Sequence, residues 1–99
     1  MMGEKLKIVR GSGNVFLDIG FSRVEAQNLQ LRSELMNKIE HFVSSSGLTQ
    51  KECPDRMGVT QPRLSELLKG KINKFSLDAL VSMLGHAGMR VRLLVKTVA

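Results

Sequence analysis

Residues 48–71, LTQKECPDRMGVTQPRLSELLKGK, limit what this chain can fold into more than any other part of it. The pattern predicts two short helices joined by a tight turn. Thr49 and Glu52 form a capping box at the start of the first helix, because each side chain can accept the backbone N–H at the other's position. Gly58 can adopt the left-handed conformation that ends such a helix. Thr60 can then cap the second helix.

The second predicted helix spans residues 61–69, and Gly70 ends it. At about 100° per residue, its leucines form one apolar stripe and its polar residues lie opposite. Taken alone, such a polar face is as often a solvated surface as a binding surface. In this chain the helix follows a capped helix and a short turn, residues 58–60, which is the layout of a helix-turn-helix. In that motif the second helix enters the major groove of duplex DNA.

The charge of the chain supports a polyanionic partner. Fifteen Lys and Arg residues against nine Asp and Glu residues give a formal net charge of +6. Residues 1–47 contain six basic and five acidic residues, whereas residues 48–99 contain nine and four. The excess therefore lies in the half that holds the two-helix unit, as binding to duplex DNA requires. An acidic protein or an anionic membrane surface would also account for this charge.

Two features of the sequence concern cellular location. No run of residues is apolar and long enough to span a bilayer, and the N-terminus lacks the apolar core of a signal peptide. The single cysteine, Cys53, excludes an internal disulfide and suits a reducing cytoplasm. It falls where the first helix needs a small buried residue, which favours packing over redox chemistry. We therefore expect a cytoplasmic protein with no role for a membrane.

The sequence contains no pattern that is typical of an enzyme. His41 and His86 lie on separate predicted helices, without Cys, Asp or Glu around them at metal-ligand spacing. Nucleophile motifs, carboxylate pairs and nucleotide-binding fingerprints are absent from the sequence. With no Trp or Tyr and only four Phe, little is available for stacking on single-stranded bases. We expect no catalysis, cofactor or metal, and duplex DNA as the partner.

Two further helices predict a mainly α-helical fold, a small helix-turn-helix bundle of four to five helices. Ser22 and Glu25 form a capping box that starts a long helix, which ends near Ser45. Ser76 caps another helix over residues 77–86. Both helices carry apolar residues at helical spacing, so each is expected to bury one face.

Extended segments are predicted on either side of this bundle, which spans residues 22–88. Residues 1–21 are Gly-rich, and within them residues 5–10 alternate charged and apolar side chains as in a strand. Residues 89–99 alternate in the same way and contain several β-branched side chains. This pattern predicts a C-terminal β-strand.

A lone C-terminal strand would leave its backbone N–H and C=O groups unpaired. Pairing with the same strand of a second copy would satisfy those groups and produce a homodimer. The alternative is pairing with residues 5–10 of the same chain. The side chains expected at the dimer contact are Val91, Leu93 and Val95.

Several segments together resemble a known family. Four segments of the helix-turn-helix unit resemble the XRE family of helix-turn-helix proteins, which includes Cro and phage repressors. They are Thr49-Gln50, the small Cys53, MGVTQPR (57–63) and LLKGK (67–71). Three segments outside that unit look like those of the small HigA-type antitoxins of toxin–antitoxin operons. They are GNVFLDIGF (13–21), KFSLDAL (74–80) and the final predicted strand. The resemblance covers residues 13–96. It implies a dimeric autorepressor that binds a palindromic operator and neutralises a RelE/HigB-like toxin ribonuclease.

Pro54 departs from the pattern of that family, which usually has a small helix former at this position. A helix that starts at Gln50 would lose the hydrogen bond that residue 54 normally donates to the Gln50 carbonyl. We therefore expect the first helix of the motif to be shifted or kinked.

The expected DNA contacts form two groups, one to base edges and one to phosphates. On the second helix, Gln suits adenine, Arg suits guanine, Glu accepts from cytosine N4, and Pro packs against a thymine methyl. The base-reading residues are Gln61, Pro62, Arg63, Ser65 and Glu66. The phosphate-binding residues are Gln50, Lys51, Thr60, Lys69, Lys71 and Lys74. A dimer would place two such helices about 34–36 Å apart on the operator.

Two other functions fit the same sequence. A free-standing phage-type repressor would use these DNA contacts without a toxin, and a toxin-like gene co-transcribed next to this one would argue against it. A protein-interaction module without its own operator would use the basic half to bind an acidic protein. Such a module would bind duplexes with a shallow salt dependence.

Overall fold

This computed structural model describes residues 14–97, and the regular secondary structure within them is entirely helical. A 3₁₀ turn (Ile72–Lys74) separates the last two of its five α-helices. The helices are α1 (Val15–Asp18), α2 (Arg23–Ser45), α3 (Glu52–Met57), α4 (Gln61–Leu68) and α5 (Leu77–His86). The predicted helix-turn-helix bundle is confirmed in this range.

Helix α2 is the scaffold on which the other elements pack. The predicted capping box starts it: the Ser22 hydroxyl accepts from Glu25 N at 3.2 Å, and the Glu25 carboxylate accepts from Ser22 N at 3.3 Å. Helices α1, α4 and α5 and the 3₁₀ turn all contact α2, and α5 also packs on α3. The core therefore lies between the inner face of α2, the two-helix unit of α3 and α4, and α5.

Large apolar side chains from every helix after α1 fill this core. Ile39 of α2 and Leu80 of α5 are fully buried, and Phe75 is 1% exposed. The other core residues are Met36, Cys53, Met57, Leu64, Leu67, Met83 and Leu84. The prediction that Cys53 packs in the core is consistent with its 2% exposure. Leu68 departs from the predicted apolar stripe of α4, since it is 38% exposed.

Helix α3 starts late, as the position of Pro54 predicted. The capping box at Thr49 is present: Glu52 N donates to the Thr49 hydroxyl at 3.1 Å, and Thr49 N donates to the Glu52 carboxylate at 2.9 Å. The hydrogen bond from the Thr49 backbone lowers the pKa of Glu52. Because Pro54 has no N–H for the Gln50 carbonyl, regular helical bonding begins only at Glu52.

The predicted C-terminal β-strand is wrong for the described residues. Residues 90–97 have no regular secondary structure, and no strand edge exists within residues 14–97 to pair with them. Met89 and Val91 instead pack against the edge of the core. An alternating pattern forms a strand only where a partner can satisfy its backbone groups. The other predicted strand, residues 5–10, lies outside the described residues.

The expectation of an extended segment up to residue 21 is also corrected, because residues 15–18 form α1. The Asn14 side chain accepts from the backbone N–H groups of Phe16 and Leu17 and caps this short helix. Asn14 Nδ2 also donates to the Ala26 carbonyl at 3.1 Å, which ties α1 to α2. A local cap therefore outweighs the extended character of the apolar run.

Candidate nucleic-acid interface

The turn between α3 and α4 has the geometry that its sequence predicted. Gly58 adopts the left-handed conformation, with φ of 71°, and Val59 N donates to the Pro54 carbonyl at 3.0 Å. The Thr60 hydroxyl accepts from Arg63 N at 3.2 Å and caps α4. Pro62 lies in the first turn of α4, where a missing N–H costs no hydrogen bond. These local interactions fix the angle at which α4 leaves the bundle.

Helix α4 buries Leu64 and Leu67 and turns its polar residues away from the core. Ordered around the helix axis at about 100° per residue, these residues form one continuous arc. The order is Gln61, Ser65, Lys69, Pro62, Glu66 and Arg63. The structure therefore brings all five predicted base-reading residues onto one surface, although they differ in what they contact.

One end of this arc borders a cleft of about 310 Å³ between α4, the start of α3 and the end of α2. Leu48, Cys53, Leu64 and other apolar residues line the inner part of the cleft. The polar residues that line it are Thr49, Gln50, Gln61, Ser65 and Lys69. The structure thus places the predicted phosphate contact Gln50 across a shared cleft from Gln61, the first residue of α4.

The other end of the arc is an ionic cluster that we call the Glu66 cluster, formed by Arg63, Glu66 and Lys74 with Phe75 beneath. The Arg63 guanidinium carbon lies 3.9 Å from the centre of the Phe75 ring. Lys74 Nζ lies 3.0 Å from Glu66 Oε2, and Arg63 Nη1 lies 4.0 Å from Glu66 Oε1. Arg63 and Glu66, both predicted to read bases, therefore already have partners within the chain.

The hydrogen bond from Lys74 lowers the pKa of the Glu66 carboxyl, and the charges of Lys71 and Arg63 act in the same direction. A pKa that is lower in the folded state means that the cluster stabilises the fold fully above the ordinary carboxyl value of 4.5. That contribution is lost as the pH falls through the lower folded-state pKa. Glu66 is therefore ionised at neutral pH.

The predicted phosphate contacts lie at the ends of α4, in the 3₁₀ turn region that follows it, and just before α3. Lys51, Lys69 and Lys71 are exposed, as is Gln50. Lys74 is occupied by Glu66, and the Thr60 hydroxyl accepts from Arg63 N as the cap of α4. Among the described residues, Lys51, Lys69 and Lys71 have no ion-pair partner, whereas Lys74 pairs with Glu66.

Sequence reasoning missed Arg32, a residue of α2 that holds the 3₁₀ turn. Its Nη1 donates to the Ile72 carbonyl at 3.0 Å and approaches the Phe75 carbonyl at 3.4 Å, while its Nε donates to Asn28 at 2.7 Å. The turn carries Lys74, so Arg32 fixes the backbone beneath that lysine. No local signal marks this role, because Ile72 and Phe75 lie 40 and 43 positions after Arg32 in the sequence.

Gly58→Ala should destabilise the fold more than Gly70→Ala. Both glycines have a left-handed backbone, with φ of 71° and 77°, so an L side chain costs about 1–2 kcal/mol at either one. A Cβ at Gly58 would also lie 3.1 Å from His86 Cδ2, whereas one at Gly70 would meet no described atom within 4 Å apart from those of its chain neighbours. Urea unfolding should show the difference, and adding His86→Ala should remove it. Equal losses in the free energy of unfolding for Gly58→Ala and Gly70→Ala would mean that the His86 imidazole moves aside freely.

The three predicted dimer residues lie on the irregular C-terminal tail. Val91 is half-buried against the core, whereas Leu93 and Val95 are 83% and 87% exposed. A second exposed apolar surface occurs at the opposite end of the chain, where Val15, Ile19 and Val24 are 59%, 67% and 80% exposed.

Among residues 14–97, no group of three or more His, Cys, Asp or Glu side chains could hold a metal ion. None of the helices in this part of the chain has the length and hydrophobicity that a bilayer-spanning segment needs.

Comparison with known proteins identifies the fold independently. A family model described as a helix-turn-helix domain matches residues 15–96. A solved chain described as an XRE-family transcriptional regulator has the same fold, with a TM-score of 0.68 and 23% identity over 74% of this chain and 82% of that chain. Comparison with curated proteins gives no match. Because the family model matches most of its length, this protein belongs to the family of helix-turn-helix domains.

Proposed function

We propose that this protein is a sequence-specific regulator of transcription that binds duplex DNA through α4. The observation that carries this proposal is the exposed polar arc of α4, which follows a capped turn, includes Lys69 and has Lys71 and Lys74 beside Glu66. An α-helix fits the major groove, and lysines around it can hold the phosphates on both sides. The fold of an XRE-family regulator and membership of the helix-turn-helix family support the same function.

The residues of the arc would share the work of recognition. Gln61 and Pro62 are exposed at the start of α4, so Gln61 can pair with adenine and Pro62 can contact a thymine methyl. Ser65 lies one turn further along the same face. Arg63 and Glu66 would reach bases only by leaving their present partners. Six residues around this helix-turn-helix would bind phosphates and so set the register of the protein on the duplex. They are Gln50, Lys51, Thr60, Lys69, Lys71 and Lys74.

Gln61→Ala should weaken binding to the cognate duplex by about 1–3 kcal/mol, or about 5–150-fold, and relax preference at one base pair. The cognate duplex is obtained by selection from a random pool with the full-length chain. Gln27→Ala, an exposed glutamine on α2, is the matched control and should leave affinity unchanged. If Gln61→Ala reduced the affinity for the selected duplex and for a scrambled duplex by the same factor, Gln61 would not read a base.

We further propose that the regulator is an antitoxin, which represses its own operon and neutralises a RelE/HigB-like toxin in the cytoplasm. The motif resemblance of residues 13–21 and 74–80 supports this role. The exposed apolar side chains of Val15, Ile19 and Val24 offer a surface for a protein partner. Expression of a small neighbouring gene should arrest growth, and co-expression of this chain should restore it. If the neighbour is harmless, a free-standing repressor is the better description.

A homodimer is part of the same proposal, because a palindromic operator presents two half-sites to two α4 helices. Leu93 and Val95 are the most exposed of the predicted contact residues, and burying them against a second copy would remove apolar surface from water. Sedimentation of the purified chain with and without the selected duplex tests this directly.

A further inference from the structure

The Glu66 cluster places a negative charge inside a surface that is otherwise suited to DNA. Glu66 is the only acidic residue of α4, and it lies between Arg63 and Lys74. A fixed carboxylate facing a phosphate backbone repels it, and it also occupies a lysine that could otherwise bind a phosphate. Under the DNA-binding function proposed above, this arrangement needs an explanation.

The two cations of the cluster are held in place by more than Glu66. The Arg63 guanidinium lies 3.9 Å from the centre of the Phe75 ring, which is itself 1% exposed. Lys74 belongs to the 3₁₀ turn, whose backbone Arg32 holds through the Ile72 carbonyl at 3.0 Å. If the Glu66 carboxylate changed partner, both cations would therefore stay beside α4.

The ion pair itself can open easily. The Lys74 and Glu66 side chains are 53% and 30% exposed, so solvent reaches both charges. Exposed ion pairs of this kind contribute little net free energy, because water and salt compete for each partner. Glu66 is ionised at neutral pH, because its pKa lies below the ordinary carboxyl value of 4.5, so both of its oxygens can accept hydrogen bonds.

We propose that Glu66 is a specificity-determining residue that exchanges Lys74 for a base amino group when the cognate sequence is bound. Cytosine N4 and adenine N6 both present N–H donors in the major groove, and a carboxylate is a strong acceptor for either. At the cognate site Glu66 accepts from that amino group, and the freed Lys74 ammonium binds a phosphate. At a site without a donor there, Glu66 keeps Lys74, and one phosphate contact is not made.

This exchange couples base recognition to electrostatic affinity. Each phosphate contact adds about 0.9 to the slope of log K against log salt, which is about 3.5-fold in affinity between 50 and 200 mM salt. Lys74 therefore contributes to the slope on the cognate duplex and not on a random one. Lys69, which has no such partner among the described residues, contributes on both.

The test measures salt slopes for the full-length chain on the selected duplex and on a scrambled duplex. Lys74→Gln should reduce the slope by about 0.9 per protomer on the selected duplex only. Glu66→Gln should steepen the slope by the same amount on the scrambled duplex, and adding Lys74→Gln should cancel that increase. Lys69→Gln should reduce the slope on both duplexes.

Glu40→Gln on the exposed face of α2 makes the same change in net charge as Glu66→Gln and should alter neither slope. Circular dichroism of each variant confirms that it is folded. A Lys74→Gln effect of equal size on both duplexes, or a Glu66→Gln effect no larger than that of Glu40→Gln, would overturn the exchange. A selection that enriches no sequence would instead overturn the proposed DNA-binding function.

Discussion

Replacing Phe75 by Ala should lower the free energy of unfolding by about 3–5 kcal/mol, which is a large part of the 5–15 kcal/mol that a small domain has. Phe75 is 1% exposed and is among the largest fully buried side chains of the described residues. Its ring also lies under the Arg63 guanidinium. The substitution therefore leaves a cavity in the core and removes the support for one side of α4. Urea unfolding followed by circular dichroism measures the loss.

A second phenylalanine provides the control for this prediction. Phe21 is 42% exposed and makes an edge-on contact with Phe16, with ring centres 6.2 Å apart. Because it buries much less surface, Phe21→Ala should cost no more than about 2 kcal/mol. Phe75→Leu should fall between the two, since it keeps most of the volume and loses the ring face. A cost for Phe75→Ala that matched Phe21→Ala would contradict the packing described above.

The parts of this fold that the sequence predicted are those with local causes. Thr49, Thr60 and Ser76 were recognised as helix caps because the group that each one caps lies only three residues away. Gly58 was recognised for the same reason, since the left-handed conformation is a property of a single residue. Hydrogen bonds between residues close in sequence, and the backbone preferences of single residues, can be predicted from the sequence, and the structure confirms these caps and this turn.

The parts that the sequence could not predict depend on distant residues. The C-terminal tail alternates like a strand, but whether it forms one depends on an edge elsewhere, and none exists within residues 14–97. Arg63 was predicted to face DNA, and its cation–π contact depends on Phe75, twelve residues later. Helical periodicity identifies which face is polar. It does not show which polar residues already have partners in the same chain.

Raising the salt concentration from 50 to 200 mM should weaken binding to the selected duplex by about 150-fold for a monomer and roughly 10⁴-fold for a dimer. Four phosphate contacts per protomer are expected, one from each of the proposed phosphate-binding lysines Lys51, Lys69, Lys71 and Lys74. Four contacts give a slope of about −3.6 and eight give about −7. Since the two slopes differ twofold, the measurement also reports how many copies bind.

Two variants turn this slope into a test of the dimer and of the basic surface. Leu93→Asp puts a charge on a tail residue that is 83% exposed, so it should halve the slope if the tail holds two copies together. Lys38→Gln removes a positive charge of α2 that lies beside Met89 and Val91 and is not among the four lysines, so it should leave the slope unchanged if the tail does not bind phosphate. A slope shallower than about −2 for the wild-type chain would mean that fewer than three phosphates are neutralised. The basic half would then serve an acidic protein partner, and α4 would not lie in a groove.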